Sequence, residues 1–450
     1  MKAEFSGGKM FSKYLLFLVL VTISSVISNN VSFKNVTLWI WGKNLTTIPS
    51  ANNLKDYLPR KWTSMILVTG TIPILYENSV TDIENVNDLQ FIGNEIIEIR
   101  PGAFKNLKSV ETIRITGSNI TTIAGVFDNL TLEQLSIGSN KISVIPSGVV
   151  KSSDLKELSF ANNIIETVEE NAFDHLPNLK TLDLSHNLLS DLPSGIFRNL
   201  SHITYISLDN NKFTTIKGEI FDNSSILNLY LADNLLKTLS ENFMKQMPNL
   251  IGIYLNRNHL TEIPAGIFNN QTVQHVDLSN NEISYIAPNA FDNMPNLTDL
   301  FLPRNKLQQY DSRWLHNCPK IYRLFLSNNL LEQLPDQAFK NLNNKKEQWV
   351  KLDSNKIKKI SAETFKGWKR VDTLELNSNE IKVWHEDYLA DVEIIRTLNL
   401  VNNKIVCLDG DFDKVFKAKR CTYLGNNPFS NDCKRKIREW SARNPHKVVV

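Results

Sequence analysis

The chain repeats one pattern of apolar and polar positions along most of its length. Residues 179–189 read Leu-Lys-Thr-Leu-Asp-Leu-Ser-His-Asn-Leu-Leu, which is L-x-x-L-x-L-x-x-N-x-L. The asparagine recurs in steps of 23 or 24 residues, apart from one doubled step and one of 26, at positions 94, 140, 163, 187, 211, 234, 258, 281, 305, 329, 355, 379 and 403. Ser118 takes the asparagine place inside the doubled step, and two degraded units precede the series, around Gly70 (Met65, Leu67, Ile72) and Lys43 (Leu38, Ile40, Leu45). About sixteen units therefore cover residues 38–405.

Each unit predicts a short β-strand followed by a turn. Leu182 and Leu184 place two side chains inward, and Asp183 between them points outward. An inward Asn187 side chain can bond backbone groups that the turning chain would otherwise leave unpaired. No unit buries its apolar face alone, so we expect the units to stack into a solenoid with one continuous core and a parallel sheet on its concave face.

The repeat resembles that of the leucine-rich repeat family over nearly the whole chain. The resemblance implies an α/β-type repeat solenoid, a horseshoe with a concave parallel β-sheet and a small C-terminal cap. We therefore expect a signal peptide over 1–28, one solenoid of about 16 units over 29–405, and a cysteine cap with a basic tail over 406–450.

The residues after the last unit resemble the C-terminal cap of extracellular members of this family. The match covers 427–440, although Asn431-Asp432-Cys433 stands where the family usually has C-x-C. The resemblance implies a disulfide from Cys407 to either Cys433 or Cys421. The third cysteine would then be a free thiol or would join a second chain, in a disulfide-linked dimer or heterodimer.

Two further features concern the core and the N-terminal edge. Cys318 occupies a slot that Leu176, Met247 and Met294 hold in other units, so we expect a buried thiol. The N-terminal edge has no cysteine cap, and we expect three tryptophans to cover it instead: Trp39, Trp41 and Trp62.

The N-terminal residues predict secretion. Residues 14–23 form an uncharged apolar run behind Lys9 and Lys13, too short to span a bilayer, with a plausible cleavage site before Asn29. A buried first helix is the alternative. No later stretch approaches 18 apolar residues, so an extracellular protein without a membrane anchor is expected. Nine Asn-x-Ser/Thr acceptor sites agree with that destination: Asn30, Asn35, Asn44, Asn119, Asn129, Asn199, Asn223, Asn270 and Asn296.

No motif predicts catalysis. The eight histidines show no metal-ligand spacing, and the sequence contains neither a glycine-flanked nucleophilic serine nor a glycine-rich phosphate loop. We expect no catalytic residue, no metal and no cofactor. A formal net charge of +3 is also too small to recruit nucleic acid.

Two rows of outward strand positions predict a protein-binding surface instead. One row lies four residues before each asparagine and the other two residues earlier still, and together they place six aromatic side chains in solvent. Stacking along the strand ladder is the alternative, but it explains tyrosines better than exposed phenylalanine and tryptophan. An exposed apolar patch flanked by charges is typical of binding surfaces. The predicted partner contacts are Tyr205, Tyr230, Tyr254, His275, Asp277, Phe301, Arg323, Phe325, Trp349 and Lys351.

The unit length, the signal peptide, the sparse cysteines and the missing N-terminal cysteine cap together resemble the secreted leucine-rich immune proteins of insects. Members of that family recognise pathogens or dock complement-like proteins, and this chain resembles a kind without the C-terminal coiled coil. The resemblance implies a secreted, non-enzymatic role in innate immune recognition. The alternative is an extracellular adhesion or developmental signalling protein, or a soluble Toll-like ectodomain.

Overall fold

The computed structural model describes residues 31–41, 46–222, 224–240, 243–269, 272–342, 348–444 and 448–449. The chain divides into two compact units, Met1–Leu179 and Lys180–Val450. The predicted signal peptide and the acceptor sites Asn30, Asn44, Asn223 and Asn270 lie outside the described residues.

The described part of the first unit, residues 31–41 and 46–179, is built from short strands and one 3-10 helix, Lys55–Tyr57. Its strands are β1 (Phe33–Ile40), β2 (Thr46–Ala51), β3 (Thr63–Thr69), β4 (Ile74–Leu75), β5 (Val80–Thr81), β6 (Val86–Ile92), β7 (Glu98–Ile99), β8 (Phe104–Lys105), β9 (Thr112–Thr116), β10 (Gln134–Ser136), β11 (Val144–Ile145), β12 (Glu157–Ser159) and β13 (Thr167–Val168).

The main sheet of this unit is parallel from β3 onward and antiparallel before it. Strands β3, β6, β9, β10 and β12 pair in parallel, one strand per repeat. Strand β1, however, runs antiparallel to both β2 and β3. The first degraded unit is therefore a hairpin rather than a parallel turn, although Leu38 and Ile40 are buried as expected.

The second degraded unit differs from its prediction by one residue. Ile66 and Val68 are buried, whereas the expected Met65 and Leu67 lie on the opposite face. Four consecutive apolar residues carry no alternation, so the pattern alone cannot fix which pair faces the core. Gly70, with φ +122°, begins the turn that follows.

The prediction for the N-terminal edge is wrong. Trp41 and Trp62 are each 64% exposed and Trp39 is 51% exposed, so these rings leave the edge uncovered. The β1–β2 hairpin forms the edge instead, because it satisfies the hydrogen bonds on the open side of β3.

Among its described residues, the second unit contains three 3-10 helices, Gly218–Phe221, Ser312–Leu315 and Glu386–Leu389, and two α-helices, α1 (Phe412–Val415) and α2 (Asn431–Arg443). Its strands are β14 (Thr181–Asp183), β15 (Tyr205–Ser207), β16 (Asn228–Tyr230), β17 (Gly252–Tyr254), β18 (Glu262–Ile263), β19 (His275–Asp277), β20 (Tyr285–Ile286), β21 (Asp299–Phe301), β22 (Arg323–Phe325), β23 (Gln348–Lys351), β24 (Arg370–Glu375), β25 (Val383–His385), β26 (Ile394–Asn399), β27 (Cys407–Asp409), β28 (Cys421–Tyr423) and β29 (Val448–Val449).

The main sheet of the second unit is parallel throughout its described strands. Its order is β14-β15-β16-β17-β19-β21-β22-β23-β24-β26-β28-β29. Equivalent residues pair directly, as in Leu182 with Ile206 and Ile206 with Leu229. These central residues are buried, so the residues on either side of them form the opposite face, which we call the outer face.

A buried ladder of asparagines ties each turn to the one before it. The Asn234 side-chain amide donates to Leu208 O (2.9 Å) in the preceding repeat and to Leu231 O (3.2 Å) in its own. Its Oδ1 accepts from Phe213 N at 3.2 Å. The same bonds recur at Asn305, so the predicted role of the asparagine is confirmed.

A small cap follows the last repeat. Cys407 and Cys433 form a disulfide with Cα atoms 5.4 Å apart, and α2 covers the end with buried Ile437 and Trp440. Cys421 is the odd cysteine; it is free and 6% exposed, and burial raises the pKa of its thiol. Burial therefore opposes an intermolecular disulfide at this position. Cys318 is buried as predicted.

Candidate functional site

The outer face of the second unit carries all ten predicted contact residues. They divide into a tyrosine half on β15–β17, with Tyr205, Tyr230 and Tyr254, and a phenylalanine half on β21–β23, with Phe301, Arg323 and Phe325. His275 and Asp277 lie on β19, between the two halves, and Trp349 and Lys351 lie on β23.

The three tyrosines form a stacked ladder. The Tyr230 and Tyr254 rings are stacked at 4.4 Å with an angle of 8°, and the Tyr205 and Tyr230 rings are 4.8 Å apart. Gly252 makes room for this arrangement, because a Cβ there would lie 3.1 Å from the Tyr254 ring and 2.7 Å from Asn228 Oδ1. The ladder half-buries all three rings, so they are less exposed than the sequence predicts.

The ladder lies in an acidic environment. Burial, followed by the charges of Asp183 and Asp209, raises the pKa of the Tyr205 phenol. Burial and the two neighbouring tyrosines raise the pKa of Tyr230 to about 12. The phenols of Tyr205 and Tyr230 therefore stay neutral and keep their hydroxyl hydrogens at physiological pH.

Asp209 is a carboxylate with a raised pKa on this face. Burial raises its pKa to about 6, against a lowering contribution from the Ala232 N–H, which donates to Oδ1 at 2.6 Å. The negative charges of Asp233 and Asp183 raise the pKa further. Asp209 therefore holds a partly desolvated negative charge near two other carboxylates, Asp183 and Asp233.

A buried ion network links His275 on β19 to the phenylalanine half. The Asp299 side chain is 1% exposed and accepts from Arg323 Nη2 at 2.8 Å and from Thr298 Oγ1 at 3.0 Å. Arg323 Nε and His275 Nδ1 also bond this carboxylate. Hydrogen bonding to Asp299 raises the pKa of Arg323, so the pair holds the guanidinium in a fixed, charged orientation.

The phenylalanine half carries cations on its ring faces. The Phe301 and Phe325 rings are 5.0 Å apart, with the Arg323 guanidinium 5.4 Å from the first ring centre and Lys351 Nζ 4.8 Å from the second. Trp349 is 37% exposed and contacts Tyr322, with ring centres 6.3 Å apart. This half is therefore apolar at its centre and basic at its edge.

Sequence analysis missed two residues that organise this face. Asp299 lies in the outward row, but three of its four bonds come from Arg323 and His275 on adjacent strands, and the fourth comes from the preceding Thr298. Asp209 lies in a third row, two residues before the asparagine, that the prediction did not include. Asp277 is placed as predicted, and its carboxylate bonds Ser279 N at 2.9 Å.

Other predicted features lie away from this face. Among the described acceptor sites, Asn35, Asn119, Asn129 and Asn199 are exposed, while Asn296 accepts from Lys320 Nζ at 2.7 Å. Within the described ranges, no cluster of three or more metal-binding side chains occurs. None of the helices described there has the length and apolarity needed to span a membrane.

Stacked parallel repeats of this kind define a scaffold for protein interactions. The model for the leucine rich repeat family matches residues 84–142, 131–189, 177–236, 201–260, 248–307, 295–347 and 348–405. The chain therefore belongs to the leucine-rich repeat family.

Similarity to curated proteins is local. The chain is 28% identical over 133 residues to rat volume-regulated anion channel subunit LRRC8D, covering 29% of this chain and 15% of that protein. It is 30% identical over 117 residues to human leucine-rich repeats and immunoglobulin-like domains protein 3, covering 20% and 10%. It is 32% identical over 95 residues to Xenopus laevis biglycan, covering 20% and 25%. The matches thus span a quarter or less of these relatives.

Solved structures share the fold over most of the chain. A leucine-rich repeat protein of Leptospira interrogans has a TM-score of 0.62 at 22% identity, covering 81% of this chain and 90% of that one. The Drosophila Toll–Spatzle complex has a TM-score of 0.60 at 23% identity, covering 81% of this chain and 53% of that one. The APL1 leucine-rich repeat domain has a TM-score of 0.58 at 21% identity, covering 75% of this chain and 86% of that one. At these identities the likeness shows the fold.

Proposed function

We propose that this chain is a secreted, non-enzymatic protein that binds a protein partner on the outer face of its second unit. The partner docks on the phenylalanine half, anchored by Phe301, Phe325 and Trp349. We further propose a role in innate immune recognition or in docking a complement-like protein, as the resemblance to the insect immune family implies.

The observation that carries the proposal is the combination of apolar rings and fixed cations on one exposed sheet. Phe301 and Phe325 pack on each other yet remain half-exposed, and Trp349 adds a third ring. Aromatic and arginine side chains are the residue types that dominate binding hot spots. Because Asp299 already orients Arg323, this side chain loses little conformational freedom when a partner binds.

The glycan acceptors support the same surface. All nine acceptor sites lie at or before Asn296, and the 154 residues after it contain none. A glycan is bulky and hydrated, so a surface that must lose water on binding cannot carry one. The strands of the phenylalanine half, β21–β23, all follow Asn296 and so lie within this acceptor-free region.

The test is affinity purification of the tagged protein from body fluid, with partners identified by mass spectrometry. The triple variant Phe301→Ala/Phe325→Ala/Trp349→Ala should lose the partner that the unmodified protein recovers. Each single change should weaken binding by about 1–4 kcal/mol, the hot-spot range.

A matched control removes three exposed aromatic rings elsewhere, in the variant Trp41→Ala/Trp62→Ala/Tyr285→Ala. It should recover the partner normally. Equal recovery by the triple variant of the phenylalanine half would show that the partner uses another surface. Induction of the transcript after microbial challenge tests the immune role, whereas expression restricted to neural or epithelial tissue would favour adhesion.

A further inference from the structure

The two halves of the outer face have opposite charge. From the first residue of each main-sheet strand in β14–β19 to the asparagine of its repeat, the chain carries four aspartates and one arginine. Arg257 donates from Nε to Asp233 Oδ2 at 2.8 Å, and Asp183, Asp209 and Asp277 are the other three carboxylates. The same positions on β21–β23 carry Arg304, Arg323 and Lys351 against two aspartates, one of which is the buried Asp299.

Tyr205 is the end of the tyrosine ladder. Tyr230 stacks on one side of its ring, while the residue paired with Tyr205 on the other side, on β14, is the small Thr181. Asp183 lies on that same strand and pairs with Ser207, whose hydroxyl donates to Asp209 Oδ2 at 3.5 Å, so both carboxylates lie at the Tyr205 end of the ladder. One ring face and two carboxylates thus meet at the end of the ladder.

We propose that Tyr205, Asp183 and Asp209 form a subsite for an arginine or lysine side chain from a basic segment of the protein partner. The inference rests on the proposed function, because it names the chemistry of the partner that the outer face binds.

The chemistry of the three residues fits a cation. A guanidinium or ammonium group is attracted to the face of a tyrosine ring, and more strongly where water is partly excluded. Asp209 holds a desolvated charge, with Asp183 and Asp233 as like-charged neighbours. A bound cation would offset that repulsion, so the energy of holding these carboxylates together becomes binding energy.

Charge also fixes the direction of the segment on the face. Its basic side chains would be repelled by Arg323 and Lys351 and attracted by Asp183 and Asp209. The partner would therefore place its basic residues on the tyrosine half and its apolar residues on Phe301.

The probe is an acetylated peptide of four arginines separated by Gly-Ser, titrated calorimetrically into the full chain at low salt. A peptide with citrulline in place of arginine keeps the shape of the side chain and removes its charge. The arginine peptide should bind the unmodified protein at least about tenfold more tightly than the citrulline peptide.

Variants assign this binding to the subsite. Asp183→Ala/Asp209→Asn should weaken it about tenfold, and alanine is used at 183 because asparagine there would create an Asn-Leu-Ser acceptor. Tyr205→Leu should weaken it about three- to tenfold, and Tyr205→Phe, which keeps the ring, by less than about twofold.

The control Asp154→Asn/Glu170→Gln removes the same charge from exposed positions of the first unit and should leave affinity unchanged. Three results would overturn the subsite. The unmodified protein could bind the citrulline peptide as tightly as the arginine peptide, or the control could lose as much affinity as the double aspartate variant. The double aspartate variant could also bind the arginine peptide normally. Unchanged thermal midpoints exclude unfolding as the cause.

The two proposals fail separately. If the phenylalanine triple variant keeps the partner while the peptide results hold, the partner surface is wrong and the cation subsite stands. If that variant loses the partner while the peptide results fail, the proposed function stands and the cation subsite is wrong.

Discussion

The tyrosine half and the phenylalanine half share one backbone and differ in what covers their rings. In the first, the rings stack on each other at 4.4 and 4.8 Å and carboxylates surround them. In the second, Arg323 and Lys351 lie over the ring faces. A regular parallel sheet fixes only the spacing between neighbouring side chains, so the chemistry of each half depends on which residues occupy equivalent positions.

A glycan placed on the phenylalanine half gives the largest expected effect on partner recovery. Phe325→Asn creates the acceptor Asn-Leu-Ser in the phenylalanine half, and its glycan should abolish recovery of the partner because the surface cannot lose water. Glu157→Asn creates the same acceptor on β12 of the first unit and should leave recovery intact. A glycosylated 325 variant that still binds would remove the phenylalanine half from the proposal.

The ion network around Asp299, in the phenylalanine half, gives the next largest effect. Asp299→Asn keeps the shape of the side chain but removes the charge that holds Arg323 and His275, so the free energy of unfolding should fall by about 1.5–3 kcal/mol. Asp353→Asn is the control, because its partner Ser327 can donate to an amide oxygen equally well. Chemical denaturation of both variants measures the difference, and equal losses would mean that the network contributes nothing special.

The asparagine ladder should treat the two halves alike. Asn234→Ala and Asn305→Ala remove the same set of bonds beneath the tyrosine and the phenylalanine half respectively. Each should lower the free energy of unfolding by about 1–3 kcal/mol, because buried backbone groups lose their partners. An unchanged denaturation midpoint for either variant would contradict the repeat register assigned to that half.

The smallest expected effect is a pH dependence confined to the tyrosine half. The folded-state pKa of Asp209, about 6, lies above its ordinary value of 3.8, so the folded protein binds more protons between those limits. The free energy of unfolding should therefore rise as pH falls from about 6 to about 4, and the rise should be smaller in Asp209→Asn. Because Asp209 is partly exposed, the difference between the two proteins is expected to be modest. If the free energy of unfolding of the two proteins changes with pH in the same way across that range, the raised pKa of Asp209 is contradicted.

The repeat made most of the second unit predictable. The inward leucines and the bonds of Asn234 follow from a pattern that recurs in every unit, so each copy supports the assignment of the others. The first unit was less predictable, because residues 65–68 are all apolar and two registers bury equally apolar pairs. The antiparallel direction of β1 depends on a chain reversal that strand alternation does not encode.

The outer face was predictable in its rows but not in its contacts. Row positions correctly placed Tyr230 beside Tyr254 and Phe301 beside Phe325 on the same face. The bonds from Arg323 and His275 to Asp299 join residues 24 positions apart, and the raised pKa of Asp209 comes chiefly from its burial in the folded sheet. The disulfide partner of Cys407 likewise could not be predicted from the sequence, because three cysteines allow more than one pairing.

The asparagine ladder also sets how this chain can change length during evolution. Each asparagine bonds its own turn and the one before it, so a duplication or deletion of one whole repeat restores every bond at the new junction. The 26-residue step follows the same rule, since its extra residues fall before Trp349 and leave the distance from Val350 to Asn355 unchanged. Recombination in steps of one repeat can therefore add or remove outer-face positions without disturbing the core, and new binding chemistry can arise by copying a unit and mutating its outward residues.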